Sequence, residues 1–335
     1  MSLGIQRLDC DNLVIGGGLS GLVAALRRKG KTIVASAGMG ATAISGGVLS
    51  SPARDVEVDS WFVRIMRQTG CKYRESRCMT DLMAIKAGLV QEIMDYGACD
   101  AVPVMFSIDG TSSVSGVRSL DLHQFRGRSY QEIARLIDTD GSILETIAAA
   151  LKETCVESAL LPPILGIDRT SEVQRSLERS TGAGIFEYVN APSVQGFRLL
   201  TALRGVILTR RDITVLDTAR IESIAPEIKG RMGTKSRREF YVDTSSLIIA
   251  TGGLMTGLRV DGDRVIEPLT GRIVGDVNAD LSEQFLADHP LMFTGIGTRP
   301  AFKGGFKDVY AAGAVALGFG LYNALTTGYH AGSNE

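Results

Sequence analysis

The chain has 335 residues, with 36 Lys and Arg against 37 Asp and Glu, a net charge of −1, and 44% hydrophobic residues. That near-neutral balance argues against a nucleic-acid partner, and no run of about 18 apolar residues marks a membrane span. The first residues are mixed and polar rather than a signal peptide. Cys10, Cys71, Cys78, Cys99 and Cys155 form no C-x-x-C pair, so reduced thiols, a cytoplasmic location and no metal centre are expected.

Asn12 to Leu26, NLVIGGGLSGLVAAL, reads as a buried strand, a glycine turn and the start of a helix. Gly16, Gly18 and Gly21 have the spacing G-x-G-x-x-G. Gly16 permits the tight turn, Gly18 lets a pyrophosphate approach the backbone, and Gly21 lets the helix pack on the strand. The N–H groups from Gly16, Gly17 and Gly18 through Leu19, Ser20 and Gly21 then face the phosphate at a helix N-terminus. This context predicts dinucleotide or flavin binding; the plainer alternative is a structural glycine turn. A second strand follows at Thr32 to Ala35, but it ends in Ala35-Ser36 where such folds usually place Asp or Glu on the adenosine ribose. Either the ribose is held otherwise near Ser36, or the ligand lacks adenosine, as FMN does. The small-residue run Gly38 to Ser51 offers backbone N–H groups, the hydroxyls of Thr42, Ser45 and Ser50, and Gly46-Gly47. It reads as lining for a phosphate or flavin edge, or as a plain surface loop.

Helical periodicity marks Asp59 to Gln68, Thr80 to Tyr96 and Gly141 to Cys155, with a strand-and-turn stretch at Val104 to Arg128. In the second, Leu82, Ile85, Leu89, Ile93 and Met94 carry the period. Arg118, His123, Arg126 and Arg128 form a cationic group suited to an anionic substrate, or a solvated loop with a structural His. A helix is expected over Glu172 to Ser180, with Ser171 and Gln174 as a capping box. A strand at Ile185 to Tyr188 precedes a helix reaching about Gly205.

Strands are expected at Ile213 to Leu216, Thr218 to Ile224 and Arg238 to Asp243, with a glycine-rich hairpin tip at Gly230 to Gly233. Ser246 to Thr251 then returns as a strand ending in Gly252-Gly253, which places Ala250, Thr251 and Gly252 beside the first strand. Val260 to Gly275 reads as a hairpin excursion. A last strand, Val309 to Ala312, ends at Gly313-Ala314, and Gly320 precedes a helix over Leu321 to Ala331. Ala314 stands where many flavoproteins carry Asp for the ribityl chain.

These features predict an α/β protein. Residues 1–55 and 193–335 form a Rossmann-like, glutathione-reductase-type flavin-binding domain with a parallel sheet and a β-hairpin excursion. Residues 56–192 form an inserted α+β cap. The glycine turn, Ser45-Gly46-Gly47, Ile248 to Gly252 and Ala311 to Ala314 resemble glutathione-reductase-like and fumarate-reductase-like flavoproteins. More narrowly, the chain resembles the family of FMN-associated subunits of anaerobic glycerol-3-phosphate dehydrogenase. That likeness rests on Leu161-Pro162-Pro163 with Gly166, Phe186-Glu187, Pro192-Ser193-Val194 with Gly196 and Arg198-Leu199, Glu267-Pro268, and Arg299-Pro300. The resemblance implies a flavin, FAD or FMN, and oxidation of sn-glycerol 3-phosphate to dihydroxyacetone phosphate. It also implies a flavoprotein partner and an iron–sulfur partner passing electrons to a membrane quinone, with peripheral membrane association through them. Arg198 and Arg299 are the expected contacts to an anionic substrate, and His289 a further contact. A non-catalytic relay subunit and a fumarate-reductase-like dehydrogenase of other substrate are the alternatives.

Overall fold

The computed structural model of the protein describes residues 6–47, 49, 55–68, 84–86, 93–94, 102–106, 118–120, 122–188, 194–234, 238–253, 257–276, 308–313 and 320–333. The first half runs β1 (Gln6–Ile15), α1 (Leu19–Arg27), β2 (Thr32–Ser36), α2 (Val56–Gln68), β3 (Ala84–Lys86), β4 (Ile93–Met94), β5 (Val102–Phe106), β6 (Arg118–Leu120), α3 (Tyr130–Thr139) and α4 (Gly141–Glu153). Next come β7 (Ser158–Leu161), α5 (Thr170–Thr181), β8 (Gly184–Tyr188), α6 (Gln195–Leu208), β9 (Ile213–Asp217), β10 (Ala219–Ser223) and β11 (Ile228–Met232). The chain ends with β12 (Arg238–Ile249), β13 (Arg259–Asp261), β14 (Arg264–Glu267), β15 (Arg272–Asp276), β16 (Asp308–Ala311) and α7 (Leu321–Ser333). Two compact units result, one of Met1–Thr42, Ser51–Ile65 and Ala202–Glu335, the other of Ala43–Ser50 and Met66–Thr201. The division drawn from sequence differs in keeping 43–50 and 193–201 with the first part and 56–65 with the cap.

In the first unit β12, β1, β2 and β9 are parallel neighbours in that order. β12 is long enough to carry two strands on its outer edge. Antiparallel β11 lies against Arg238 to Val242, and parallel β16 lies against Ser246 to Ile249. Leu13, Ile15, Ile33, Ala35, Leu247 and Ile249 share one core. The alternate residues Val14, Val34 and Ile248 are also buried. Burial on both faces explains why these strands read as unbroken apolar runs.

Every residue of α1 from Leu19 to Leu26 is buried. On α7 a Cβ at Gly328 would collide with Ser20 O, and one at Gly332 would sit 2.6 Å from Ala24 O. The two helices therefore approach through glycines. Over their outer ends the Arg27 guanidinium stacks 4.3 Å from the Tyr329 ring centroid. Burial, and then the hydrogen bond to Glu57, push the Tyr329 hydroxyl above its ordinary value, so it stays protonated and donates to Glu57 Oε1 (2.5 Å).

The second unit holds a six-stranded sheet, β4-β3-β8-β7-β5-β6, packed on a core that includes Ile133, Ile147, Leu161, Leu177 and Ile185. Three expectations are corrected. Thr80 to Tyr96 is not a continuous helix, because 84–86 and 93–94 pair antiparallel as β3 and β4 and β3 joins β8. Sheet pairing overrides the helical period there. Ser171 does not cap α5, which begins at Thr170, two residues before the expected start, behind Arg169 with no side-chain cap among the described residues. The Asp138 carboxylate instead accepts the N–H groups of Ile167 (2.6 Å), Asp168 (3.0 Å) and Arg169 (3.2 Å). The reciprocal capping box belongs to Ser129 and Glu132 on α3. The expected glycine tip lies mostly within β11, and Arg238 to Asp243 and the following apolar run form one strand, β12.

Two glycines separate packing from helix propensity. Gly328→Val forces a side chain into the α1 backbone and should lower stability by about 1–3 kcal/mol, against a propensity gain of only about 0.4 kcal/mol. Gly205→Ala on α6 meets nothing within 4 Å among the described residues. It should raise stability by up to about 1 kcal/mol. Denaturant midpoints of the two variants against wild type check both signs.

Candidate functional site

β1 delivers the chain into the glycine turn, and β12 closes against it. Gly16 has φ +131° and its N–H donates to Ala35 O (2.9 Å), while Ala250 N–H donates to Ile15 O (2.8 Å). A Cβ at Gly16 would collide with Ala250 O, and one at Gly21 would collide with Gly16 O. Gly17 is as crowded, facing Ser36 Oγ. Gly18 is different: among the described residues its Cβ would meet only Thr42 Oγ1, at 3.5 Å. Gly18 is the N-cap of α1 and brings no side-chain cap. Leu19 N–H donates to Thr42 Oγ1 (3.2 Å) and Leu22 N–H to Gly18 O (3.0 Å). No hydrogen bond among the described residues engages the N–H groups of Gly17, Gly18, Ser20 or Gly21. A helix N-terminus of open donors, without an acidic residue in its first turn, is an anion site by construction.

Other expected residues gather at the same carboxyl ends of β1, β2, β12 and β16. The buried Ser36 hydroxyl donates to Gly38 O (2.9 Å). Thr251 Oγ1 is buried with no hydrogen-bond partner among the described residues. Gly252 follows it at φ +89°. Gly313, at φ +74°, donates its N–H to Thr327 Oγ1 (2.7 Å), and a Cβ there would lie 2.5 Å from Ser20 Oγ. Gly320 is exposed at φ +97° and its carbonyl accepts the Ala324 N–H as α7 begins.

A family described as "FAD binding domain" matches residues 11–271. The chain belongs to this FAD-binding domain family. Its cofactor is a flavin. No curated protein matches the sequence. Among solved structures, E. coli quinol fumarate reductase FrdA is 13% identical over 74% of this chain and 33% of its own, with a TM-score of 0.29. Mycobacterium smegmatis Sdh1, solved with UQ1, is 11% identical over 98% of this chain and 68% of its own, TM-score 0.35. L-proline dehydrogenase from P. horikoshii is 11% identical over 98% and 93%, TM-score 0.40. The chain spans about a third of the length of the fumarate reductases it matches first.

The residues of this FAD-binding domain fit its cofactor. A diphosphate needs open N–H donors and a backbone it can approach, which the turn at Gly17 and Gly18 offers. Thr251 Oγ1 is a buried polar atom awaiting a partner, a rare condition in folded proteins.

The remaining expected residues lie elsewhere. Ser45, Gly46 and Gly47 belong to the second unit, where Ser45 O accepts the Gly196 N–H (3.0 Å). Gly47, at φ +71°, leaves no room for a Cβ beside Gln195. Arg198 is corrected from an anion contact to an internal ion pair. It is 2% exposed and donates from Nη1 and Nη2 to Glu187 (2.5 and 2.9 Å) and from Nε to Gly166 O (2.7 Å). Glu187 also accepts the Leu165 N–H (2.7 Å), so the pair ties three segments of the second unit together. His289, Arg299 and Ala314 lie outside the described residues, as do Cys71, Cys78, Cys99 and the side chains of Arg118 and His123. Arg126 and Arg128 are exposed. Burial pushes the Cys10 thiol up, which keeps it protonated and structural.

Sequence reading did not single out Arg204. From α6, its Nη2 lies 3.4 Å from Ser36 Oγ and 2.9 Å from Asp217 Oδ1. The only signal available was the missing acid at Ser36, which implied a substitute nearby.

Gly18→Ala should leave the fold intact and weaken flavin binding about tenfold, because its Cβ occupies the approach to the turn. Gly16→Ala should fail to fold stably, since both φ and the Ala250 carbonyl exclude it. Circular dichroism and flavin fluorescence titration separate the two. Glu187→Gln or Arg198→Met alone should lower stability by about 3–5 kcal/mol, as each breaks a buried pair. The double variant should recover much of that loss in the same denaturation assay.

Proposed function

We propose that this chain is the flavin-binding subunit of an oxidoreductase acting on a small anionic alcohol. The first substrate to test is sn-glycerol 3-phosphate, oxidised to dihydroxyacetone phosphate. The observation that supports the flavin part is the FAD-binding domain match together with a glycine turn whose N–H groups stand open at the carboxyl ends of β1, β2 and β12. The substrate part is supported by the sequence resemblance carried by Leu161-Pro162-Pro163, Phe186-Glu187 and Arg198-Leu199.

Bound flavin supplies acceptance of two electrons. The chain's own residues bind and orient. The N-terminus of α1 offsets the diphosphate charge through Gly17, Gly18, Ser20 and Gly21 N–H. Gly18 keeps the approach clear, and the Thr251 hydroxyl offers one further hydrogen bond. In this reading flavoprotein and iron–sulfur partner subunits would carry the electrons on to a membrane quinone. No described helix is long and apolar enough to cross a membrane, so contact with the membrane falls to those partners in this reading.

A second reading is an electron-relay subunit without its own substrate chemistry. The Arg198–Glu187 pair favours it, because one of the expected anion contacts is spent internally. Mass spectrometry of the flavin released from purified protein should find FAD. Glycerol 3-phosphate should bleach its absorbance anaerobically. Bleaching only with partner subunits present selects the relay reading, and no bleaching even then rejects the substrate. Failure to hold any flavin after reconstitution rejects the whole proposal.

A further inference from the structure

We infer that Asp217, held by Arg204, is the carboxylate that binds the adenosine ribose of FAD in place of the acid missing from β2. The inference rests on the flavin reading above and sharpens it to the dinucleotide.

In dinucleotide folds the carboxylate at the end of the second strand takes the ribose hydroxyls, next to the glycine turn. Here that strand ends in Ser36, whose side chain lies against Gly17. β9 is the parallel neighbour of β2, and its last residue, Asp217, is the register partner of Ser36. Adjacent strands are about 4.8 Å apart. The missing negative charge is therefore present one strand over, at the same level of the sheet.

Its position is fixed. Arg204 Nη2 reaches both Asp217 Oδ1 (2.9 Å) and Ser36 Oγ (3.4 Å). The guanidinium thus ties the two strand ends together from α6. Asp217 remains open, with 62% of its side chain exposed, and Oδ2 has no partner among the described residues. Arg204 Nε is buried without an acceptor among the described residues. A buried donor in that state marks a place still short of a polar group.

The chemistry selects among ligands. A carboxylate accepts two hydrogen bonds from a ribose diol, in charge-assisted contacts. It repels a 2′-phosphate, and Arg204 is already neutralised by Asp217, so a phosphorylated ribose is disfavoured. FMN has no adenosine ribose to offer. Of the two explanations for Ser36, a ribose held otherwise is the one these residues support.

The test is titration of flavin-stripped full-length protein with FAD and with FMN, followed by flavin fluorescence. Wild type should bind FAD at least about tenfold more tightly than FMN. Asp217→Ala should weaken FAD binding about tenfold and leave FMN binding unchanged. Arg204→Ala should weaken FAD in the same selective way, with Arg204→Lys restoring part of it. FMN affinity serves as the control for folding. If a variant binds neither flavin, Asp217→Asn, which keeps the shape and removes the charge, repeats the comparison. Equal weakening of both flavins, no weakening of either, or a wild type without preference for FAD overturns the ribose assignment alone. Binding of neither flavin by wild type overturns the cofactor reading and this inference with it.

Discussion

The close passage of the glycine turn under the end of β12 is the constraint on which the first unit depends. Gly16 must sit in a backbone region that side chains rarely adopt, with Ala250 O where a Cβ would be. Gly21 must then stack its Cα against Gly16 O. These two contacts set the angle at which α1 leaves the sheet. Two consequences follow from that angle. The N–H groups of the first turn point past the strand ends, where water or a ligand satisfies them. The far side of α1 lies within reach of α7, and Gly328 and Gly332 are the residues that let that helix in. Packing and binding geometry are in this sense one demand on the same few glycines.

The second unit is held by a different device. Glu187 and Arg198 carry opposite charges into a core where neither is exposed. Such a pair adds little net stability over apolar residues of the same size, but removal of one partner is severe. What it adds is definition. Glu187 on β8, Arg198 on α6 and the Gly166 carbonyl between β7 and α5 have one arrangement that satisfies all of them.

Where sequence legibility ended follows from the range of the forces involved. β1, α1 and β2 were readable because a strand, a glycine turn and an apolar helix, buried on every side from Leu19 to Leu26, are each written within a few residues, and the glycines have a local reason. Thr80 to Tyr96 misled because its apolar residues fit a helical period while the structure pairs 84–86 with β8, about a hundred residues on. Local spacing carries no record of that partner. The approach to α5 was missed likewise: the acceptor for the N–H groups of Ile167, Asp168 and Arg169, just before the helix, is Asp138 on α3. Arg198 was expected to contact an anionic substrate, and the sequence does not say that its partner is internal, Glu187 on β8. At the turn, by contrast, the demands are local: Gly16 has φ +131° and Gly21 lies against Gly16 O, while a Cβ at Gly18 meets nothing closer than 3.5 Å among the described residues.

Ser36 shows how a departure from a pattern becomes informative only with topology. Read alone, a serine where an acid is expected lowers the case for an adenosine-bearing ligand. β9 changes that reading. It lies beyond β2 in the sheet but more than 170 residues later in the chain and ends in Asp217 at the level of Ser36. A carboxylate on the edge strand is freer than one on β2, and most exposed carboxylates have no fixed direction. Arg204 removes that freedom by binding one oxygen and leaving the other. A function that one residue performs at the end of β2 in other folds is here spread over β2, β9 and α6. Three elements must be in place before the charge has an address, which ties recognition of the ligand's far end to completion of the sheet.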